Sequence, residues 1–253
     1  MIWVRSAIFN VCFFSVTAII MICGSPALLA NRHSVFKMAR FWSRTSLWLL
    51  KRICGLHVEF RGVERIPDGG FLLASKHQSA LETFALFLHL KDFSFILKRE
   101  LMQIPIFGWY LKRAEMIGID RSSGRAALQQ AVERSREMLS EGRCILIFPE
   151  GTRTTPGADP NYKAGVAYIY SATGAACLPA ALNTGVFWPR RSFLKYPGRV
   201  IIEFLPLIEP GLKRPEFIRT LEASIEGASN KLLAETIKAD PSTQARIANR
   251  NDP

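Results

Sequence analysis

Cysteine is scarce in this sequence, and its few copies are dispersed. The 253 residues include an odd number, five, and no two of them form a Cys-x-x-Cys pair. They are Cys12, Cys23, Cys54, Cys144 and Cys177. Domains that depend on disulfides carry paired cysteines at close spacing, so the sequence argues for a reducing compartment instead. The four histidines show no metal-ligand spacing with these cysteines, and we predict no metal site.

Acidic residues are also in short supply. The chain has 21 Asp and Glu residues against 33 Lys and Arg residues, which gives a formal net charge of +12. Such an excess favours an anionic partner, namely a nucleic acid, a membrane surface or a phosphorylated substrate. The sequence lacks zinc-ligand spacing, a basic heptad region and an aromatic RNA-binding signature, so nucleic acid is the weaker choice.

Charge is absent altogether from Ser6 to Asn31. This apolar run is long enough for a membrane span, which needs about 20 residues, and Gly24-Ser25-Pro26 predicts that its helix ends near Cys23. The next segment, Ala27 to Leu50, mixes arginine and lysine with phenylalanine and tryptophan. That pattern is typical of a helix lying in a membrane interface. Cations that follow the apolar run favour the cytoplasmic side for this flank.

Two other interpretations of these segments compete. The first segment could be a signal peptide cleaved near Ser25-Pro26-Ala27, although Arg5 is its only charged residue. Alternatively, both segments could form a buried helical hairpin of a soluble protein. The tryptophan and arginine content favours membrane contact. Whether the first helix spans the bilayer or enters one leaflet stays open at this point.

The remaining chain alternates strand and helix patterns without an internal repeat. Residues 56–61 alternate apolar and polar side chains, as a strand with one wet face does, and residues 125–139 have the periodicity of a long helix. Alternation of this kind predicts an α/β core with a mixed, largely parallel sheet flanked by helices. We expect a membrane-associated helical module over 1–50, a catalytic domain over 51–238 and a polar, disordered tail over 239–253.

A histidine stands where one predicted strand ends and a helix begins. The apolar run Phe71–Ala74 precedes His77, and Glu82 follows five residues later in the first helical turn. Reactive groups collect at the carboxyl ends of strands in open α/β folds. A carboxylate that holds an imidazole in one tautomer leaves the other nitrogen free to accept a proton. The competing interpretation is a helix cap with a surface histidine.

Two further polar clusters also follow strand candidates. Phe148-Pro149-Glu150-Gly151-Thr152-Arg153 comes after Cys144–Ile147, and the cations Lys98 and Arg99 come after Phe93–Leu97. Cations at such an edge can bind a phosphate. The alternative for Lys98 and Arg99 is a solvated helix start. Lys163 is a similar case, for which we favour the surface.

Pro179 lies inside an apolar strand candidate, Ala176–Asn183. Proline lacks the N–H group that a strand donates to its neighbour, so it is uncommon in a central strand. An edge position, or a bulge beside the site, would explain it.

Taken together, these clusters resemble the glycerolipid acyltransferases, in particular the 1-acylglycerol-3-phosphate (lysophosphatidate) acyltransferases. The family pattern is His-x4-Asp, then Lys-x-Glu-Leu followed by proline and glycine, then Phe-Pro-Glu-Gly-Thr-Arg, then an apolar strand with a proline. All four blocks occur here in order, between about Leu56 and Ile208. One departure is Glu82, where the family usually has aspartate; the charge is kept and the side chain is one methylene longer.

The resemblance implies a function and a set of site residues. It implies an α/β acyltransferase fold and transfer of a fatty acyl group from acyl-CoA or acyl carrier protein to the sn-2 hydroxyl of 1-acylglycerol 3-phosphate, without a cofactor. The implied residues are catalytic His77 and Glu82, and substrate-binding Lys98, Arg99, Glu150, Gly151, Thr152, Arg153 and Pro179. We expect the protein at the cytoplasmic face of the inner membrane, with a membrane lipid and the thioester as partners.

Two alternatives to this function remain at the level of sequence. One is the same chemistry on glycerol 3-phosphate or a lyso-aminolipid. The other is a non-catalytic protein that binds anionic lipid through its basic helices, against which the presence of both His77 and Glu82 counts.

Overall fold

The fold is built on one mixed sheet, seen in a computed structural model that describes residues 1–248. Its seven strands have the spatial order β1-β7-β6-β2-β5-β3-β4. They are β1 Leu56–Arg61, β2 Leu72–Ser75, β3 Phe93–Lys98, β4 Ile117–Ile119, β5 Cys144–Ile147, β6 Cys177–Leu182 and β7 Gly198–Phe204. All neighbours are parallel except β6 and β7. The predicted mixed, largely parallel sheet is confirmed.

Nine α-helices accompany this sheet within residues 1–248. They are α1 Ile2–Cys23, α2 Arg32–Leu49, α3 Leu81–Ala85, α4 Phe107–Arg113, α5 Arg125–Ser140, α6 Gly165–Thr173, α7 Thr184–Phe187, α8 Arg214–Ala239 and α9 Ser242–Ala248. Successive side chains of a strand point to opposite faces. Accordingly, Leu73 packs into the core layer that contains α1 and α2 residues, while Leu72 packs with α5, α6 and α8.

Helix α1 lies along the surface of the α/β domain. The Ser6 hydroxyl accepts a hydrogen bond from the Lys195 backbone N–H (3.0 Å) near its start, and the Met21 carbonyl accepts one from Tyr110 (2.7 Å) near its end. Between them, Phe9 is fully buried in the core. Among the described residues this is the one helix that is long and apolar enough to cross a membrane. The boundary predicted near Cys23 agrees with the helix end.

The C-terminal segment differs from the expected disordered tail. Helix α8 ends at Ala239, and residues 242–248 form α9, with Ile247 buried against the core. An isolated apolar residue in a polar sequence gave a weak periodic signal, so only the contact with the domain reveals the helix. The last five positions of the predicted tail, 249–253, lie outside the described residues.

Pro179 is on a central strand and not at an edge, because β6 lies between β7 and β2. Its missing N–H faces β7, where the pairing is irregular. Between the pairs Cys177–Ile208 and Ala180–Phe204, two residues of β6 oppose three residues, 205–207. The extra residue makes a bulge, and at a bulge a ladder donor is not required. The bulge alternative of the sequence analysis explains the proline.

Candidate active site

The carboxyl ends of β2 and β5 bring the first and third motifs together. The two strands are parallel neighbours, so the residues that follow them, His77 and Phe148, emerge side by side. Their rings stack at a centroid distance of 3.9 Å and an interplanar angle of 15°. The two loops that follow these strands are thus in contact, and Phe148 supplies one wall for the imidazole.

Glu82 fixes the imidazole from the other side. Its Oε1 lies 2.8 Å from His77 Nδ1 and also accepts hydrogen bonds from the backbone N–H groups of Gln78 (2.8 Å) and Ser79 (2.7 Å). A carboxylate only accepts, so Nδ1 of His77 carries the proton and Nε2 is left as a proton acceptor. Glu82 is fully buried, while the His77 side chain remains 13% exposed. The arrangement has the geometry of an oriented general base.

The loop after β5 folds back onto His77. Gly151 has a positive φ of 68°, a conformation that glycine adopts without strain, and it allows the sharp turn of this loop. At the end of the turn, Thr154 donates its backbone N–H to the His77 carbonyl oxygen (2.8 Å). The third motif is therefore anchored directly to the backbone of the first.

Glu150 has a partner that the sequence did not reveal. Its Oε1 lies 2.9 Å from Nζ of Lys76, which also contacts Oε1 of Glu226 on α8 at 2.7 Å. Both Lys76 and Glu150 are almost completely buried. Glu150 therefore supports the loop through Lys76, and it also lines the cavity beside His77. Its contact with a substrate stays a prediction, and no ion pair joins it to Arg153 within residues 1–248. Lys76 could have been singled out by its place beside His77, whereas no local signal marks Glu226.

The cations named in the sequence analysis lie at different positions relative to the cavity beside His77. Arg153 and Lys98 both line the cavity beside His77, as does Lys163. The guanidinium of Arg153 has no ion-pair partner in residues 1–248; its backbone carbonyl accepts a hydrogen bond from Arg190 (2.9 Å). Nζ of Lys98 lies 3.0 Å from Glu100 in an exposed pair. These cations are available to an anionic ligand, since an exposed ion pair contributes only about 0–1 kcal/mol.

Two predicted substrate-binding residues are not part of this cavity. Arg99 is exposed and does not line it, although its neighbour Lys98 does. Lys98 is the last residue of β3, whereas Arg99 begins a 3₁₀-helical turn, Arg99–Gln103, so the two neighbouring cations belong to different elements. Pro179 is buried within β6 and does not line the cavity either. Gly151 and Thr152 do line it.

A largely apolar cavity of about 940 Å³ extends from these polar groups towards the N-terminal helices. It is lined by aliphatic and aromatic side chains of α1, α2, α3, β3 and α4. Representative residues are Ile20, Met38, Trp42, Phe84, Phe95 and Leu111. A long, flexible apolar ligand gains free energy from leaving water for such a space.

Burial also raises the pKa of Tyr162, which is hydrogen-bonded to Glu226. Tyr162 donates its hydroxyl to Oε1 of Glu226 (2.9 Å). Burial, and then the nearby Glu226 carboxylate, raise the pKa of Tyr162 far above its usual value, so it remains a protonated donor.

No cluster of three or more metal-ligating side chains occurs in the described part of the chain.

Comparisons with known proteins show what this chain is similar to. A family model described as Acyltransferase matches residues 57–183. The chain is 37% identical to the 1-acyl-sn-glycerol-3-phosphate acyltransferase of Pseudomonas aeruginosa, over 77% of this chain and 76% of that protein. It is 30% identical to the enzyme of the same name from Borreliella burgdorferi, over 80% of each.

A chloroplastic 1-acyl-sn-glycerol-3-phosphate acyltransferase of Arabidopsis thaliana is 30% identical, and the match spans only 49% of that longer protein. Among solved structures, the 1-acyl-sn-glycerophosphate acyltransferase PlsC of Thermotoga maritima superposes with a TM-score of 0.77 at 23% identity, covering 92% of this chain and 98% of that one. At this level of identity, the superposition establishes the fold.

Proposed function

Because this chain belongs to the acyltransferase family, we propose that it transfers a fatty acyl group from a thioester to the sn-2 hydroxyl of 1-acylglycerol 3-phosphate, forming phosphatidic acid. The observation that carries the proposal is the His77–Glu82 pair at 2.8 Å, with Nε2 of His77 left as acceptor beside an apolar cavity that cations also line. The cations suit a phosphate and the apolar walls suit an acyl chain, and the proposed reaction needs both.

In the proposed reaction, His77 Nε2 accepts the proton of the sn-2 hydroxyl as its oxygen attacks the thioester carbonyl carbon. Glu82 stabilises the imidazolium that forms. The tetrahedral intermediate collapses, the carbon–sulfur bond breaks, and the imidazolium returns its proton to the leaving sulfur as a thiol. The acceptor oxygen is itself the nucleophile, so no serine or cysteine need form a covalent intermediate.

Arg153 is proposed as the main ligand of the acceptor phosphate. A guanidinium can bind phosphate through two parallel hydrogen bonds, and that of Arg153 is not engaged by a carboxylate of residues 1–248. Lys98 would contribute a second cation by exchanging its exposed pair with Glu100. Gly151 and Thr152 would form the wall of the site between Arg153 and His77.

The apolar part of the cavity is proposed to receive the fatty acyl chain. Its lining residues come from α1 and α2 as well as from the α/β domain. The N-terminal helices would therefore complete the acyl-binding site in addition to contacting lipid. The thioester donor is acyl-CoA or acyl carrier protein.

For the membrane contact, we propose that α1 lies in the plane of one leaflet and does not cross the bilayer. Its contacts with the domain run from Ser6 to Met21, which is nearly its whole length. A helix held lengthwise on a polar domain cannot enter the opposite leaflet without that domain. The apolar residues of its other face are exposed; they include Trp3, Val4, Ile8, Val11, Phe14, Ile19 and Ile22. The buried position of Phe9 argues that α1 is retained and is not a cleaved signal peptide.

The function is tested by acylation assays on the purified protein in detergent. Lysophosphatidate, glycerol 3-phosphate and a lyso-aminolipid serve as acceptors, each with acyl-CoA and with acyl carrier protein, and labelled products are separated by chromatography. We expect phosphatidic acid from lysophosphatidate, and loss of this product in His77→Ala. Preferential acylation of another acceptor, or no product with either donor, would contradict the assignment.

A further inference from the structure

A buried cation lies beside His77 and takes no part in the proposed proton transfer. The Lys76 side chain is 2% exposed, and its Nζ lies 2.9 Å from Glu150 and 2.7 Å from Glu226. An ammonium group withdrawn from water is stable only when acceptors surround it, and removing one partner of such a buried pair is strongly destabilising. The positions of the two carboxylates and of Nζ are therefore mutually dependent.

The hydrogen bonds around this cation join α8, the segment before α6 and the loop 150–154. Tyr162, just before α6, donates to the Oε1 of Glu226 that also contacts Lys76. Thr154 donates its hydroxyl to Oε2 of Glu150 (3.1 Å) and its backbone N–H to the carbonyl of His77 (2.8 Å). Both ends of the loop 150–154 are thus attached to consecutive residues, its start to Lys76 and its end to His77.

This attachment determines where the cavity-lining part of the loop lies. Gly151, Thr152 and Arg153 occupy the positions between the two attached ends, and all three line the cavity. Within residues 1–248, the Arg153 side chain has no carboxylate of its own to fix it. The distance between His77 and the proposed phosphate site therefore depends on the buried network beneath the loop.

We propose that Lys76 and Glu226 are positioning residues for the acyl transfer: the Lys76 ammonium, supported by Glu226 of α8, holds the loop that carries Arg153 at the correct distance from His77. This inference rests on the proposed function. It also assigns a role at the active site to α8, a helix outside the four family motifs.

The charges of the network indicate which variant to use. Lys76 with Glu150 and Glu226 carries a net charge of −1, that is +1 − 1 − 1. Lys76→Met alone would leave the buried carboxylate of Glu150 and the half-buried carboxylate of Glu226 without a cation. The double variant Lys76→Met/Glu226→Gln leaves Glu150 alone, so the net charge is again −1 while the ionic bridge is gone. Glu226→Gln alone retains the acceptor oxygen for Lys76 and Tyr162 and serves as the milder variant.

A matched control is available at the opposite end of β5, where the strand begins. Arg143 is 1% exposed, directly precedes β5, and contacts both Asp92 (3.0 Å) and Glu115 (2.6 Å). It is thus another buried cation held by two carboxylates, yet it lies at the amino end of β5, away from the loop. Arg143→Met reports what the loss of such a network does to stability alone.

The experiment combines kinetics, melting and hydrogen exchange on the full-length enzyme in detergent. For Lys76→Met/Glu226→Gln we expect the KM for lysophosphatidate to rise at least about tenfold, with a much smaller change for the thioester, because acceptor binding is lost. Glu226→Gln should also raise the KM for lysophosphatidate more than that for the thioester, by a smaller factor. Arg143→Met should lower the melting temperature and leave the ratio of the two KM values unchanged.

Hydrogen–deuterium exchange of the segment 148–154 gives a measurement that does not depend on the substrate. We expect faster exchange of the Thr154 amide in the double variant and wild-type exchange in Arg143→Met. Unchanged exchange together with an unchanged KM for lysophosphatidate would overturn the positioning role. So would a double variant whose two KM values change by the same factor, which leaves their ratio unchanged as in the control. If the wild-type enzyme does not acylate lysophosphatidate at all, the proposed function fails, while the exchange result still decides whether the network positions the loop.

Discussion

Replacing Glu82 by glutamine isolates the contribution of its charge to catalysis. Oε1 of Glu82 accepts from His77 Nδ1, from Gln78 N and from Ser79 N at 2.7–2.8 Å. A glutamine oxygen can accept all three hydrogen bonds, so the position and tautomer of His77 are retained. The other oxygen, Oε2, is buried without a hydrogen-bond partner among the described residues. The amide NH2 group therefore occupies that side, which keeps the glutamine in the productive orientation.

The size of the effect follows from the distance. Two unit charges 2.8 Å apart, as imidazolium and carboxylate are after proton transfer, attract by roughly 6 kcal/mol at an effective dielectric constant of about 20. That upper limit corresponds to about four powers of ten in rate. The hydrogen bond to the neutral amide recovers part of it, by about 1 kcal/mol or more. We expect kcat to fall by about a hundredfold to a thousandfold, within the usual range for general-base catalysis.

The assay is steady-state acylation of lysophosphatidate with each substrate varied in turn, together with a melting curve. Both KM values should stay close to those of the wild type, because Glu82 is fully buried and does not line the cavity. Glu137→Gln on the exposed face of α5 controls for the loss of one negative charge. A folded Glu82→Gln enzyme whose kcat is within about threefold of wild type would refute the electrostatic role, since general-base support is worth far more than that.

Four further outcomes are expected. His77→Ala should lower kcat by a factor of about a hundred or more without unfolding the protein. Arg153→Lys should raise the KM for lysophosphatidate more than that for the thioester, because a point charge replaces a two-pronged donor; equal effects on both substrates would remove Arg153 from the phosphate site. Deletion of residues 1–50 should give insoluble protein, since fully buried Phe9 and Leu50 belong to the domain core; a soluble, folded truncation would show the core to be independent. Burial lowers the pKa of Lys195 from 10.5 to about 8. Between these two pH values the unfolded state binds more protons than the folded state, so the free energy of unfolding should rise with pH across that window. Chemical denaturation at a series of pH values measures this rise, and Lys195→Met should abolish it.

Most of the regular structure was predictable from local patterns. The alternation of residues 56–61 and the periodicity of residues 125–139 correspond to β1 Leu56–Arg61 and α5 Arg125–Ser140. The end of the first apolar helix at Cys23 follows from the glycine and proline after it. In each case the deciding interactions lie within one turn or one strand. The exception is α9, whose few apolar residues become informative only when Ile247 packs against the domain.

The pairing of His77 with Glu82 was also predictable from the sequence. The two residues are five positions apart across a strand–turn–helix junction, a separation at which the carboxylate can reach the imidazole. The third motif likewise reached its place because it follows β5, the parallel neighbour of β2. Residue type, local spacing and the position after a buried strand were sufficient for the contact between His77 and Glu82 and for the general location of the cavity.

Only the tertiary structure decided which charged groups beside the cavity have a buried partner. Glu150 and Arg153 lie in one short motif and both line the cavity, yet only Glu150 forms a buried ion pair, with Lys76. That pair also involves Glu226, 150 positions beyond Lys76 in the chain. A buried cation requires its carboxylates wherever the fold supplies them, and such contacts between distant segments leave no spacing pattern in the sequence.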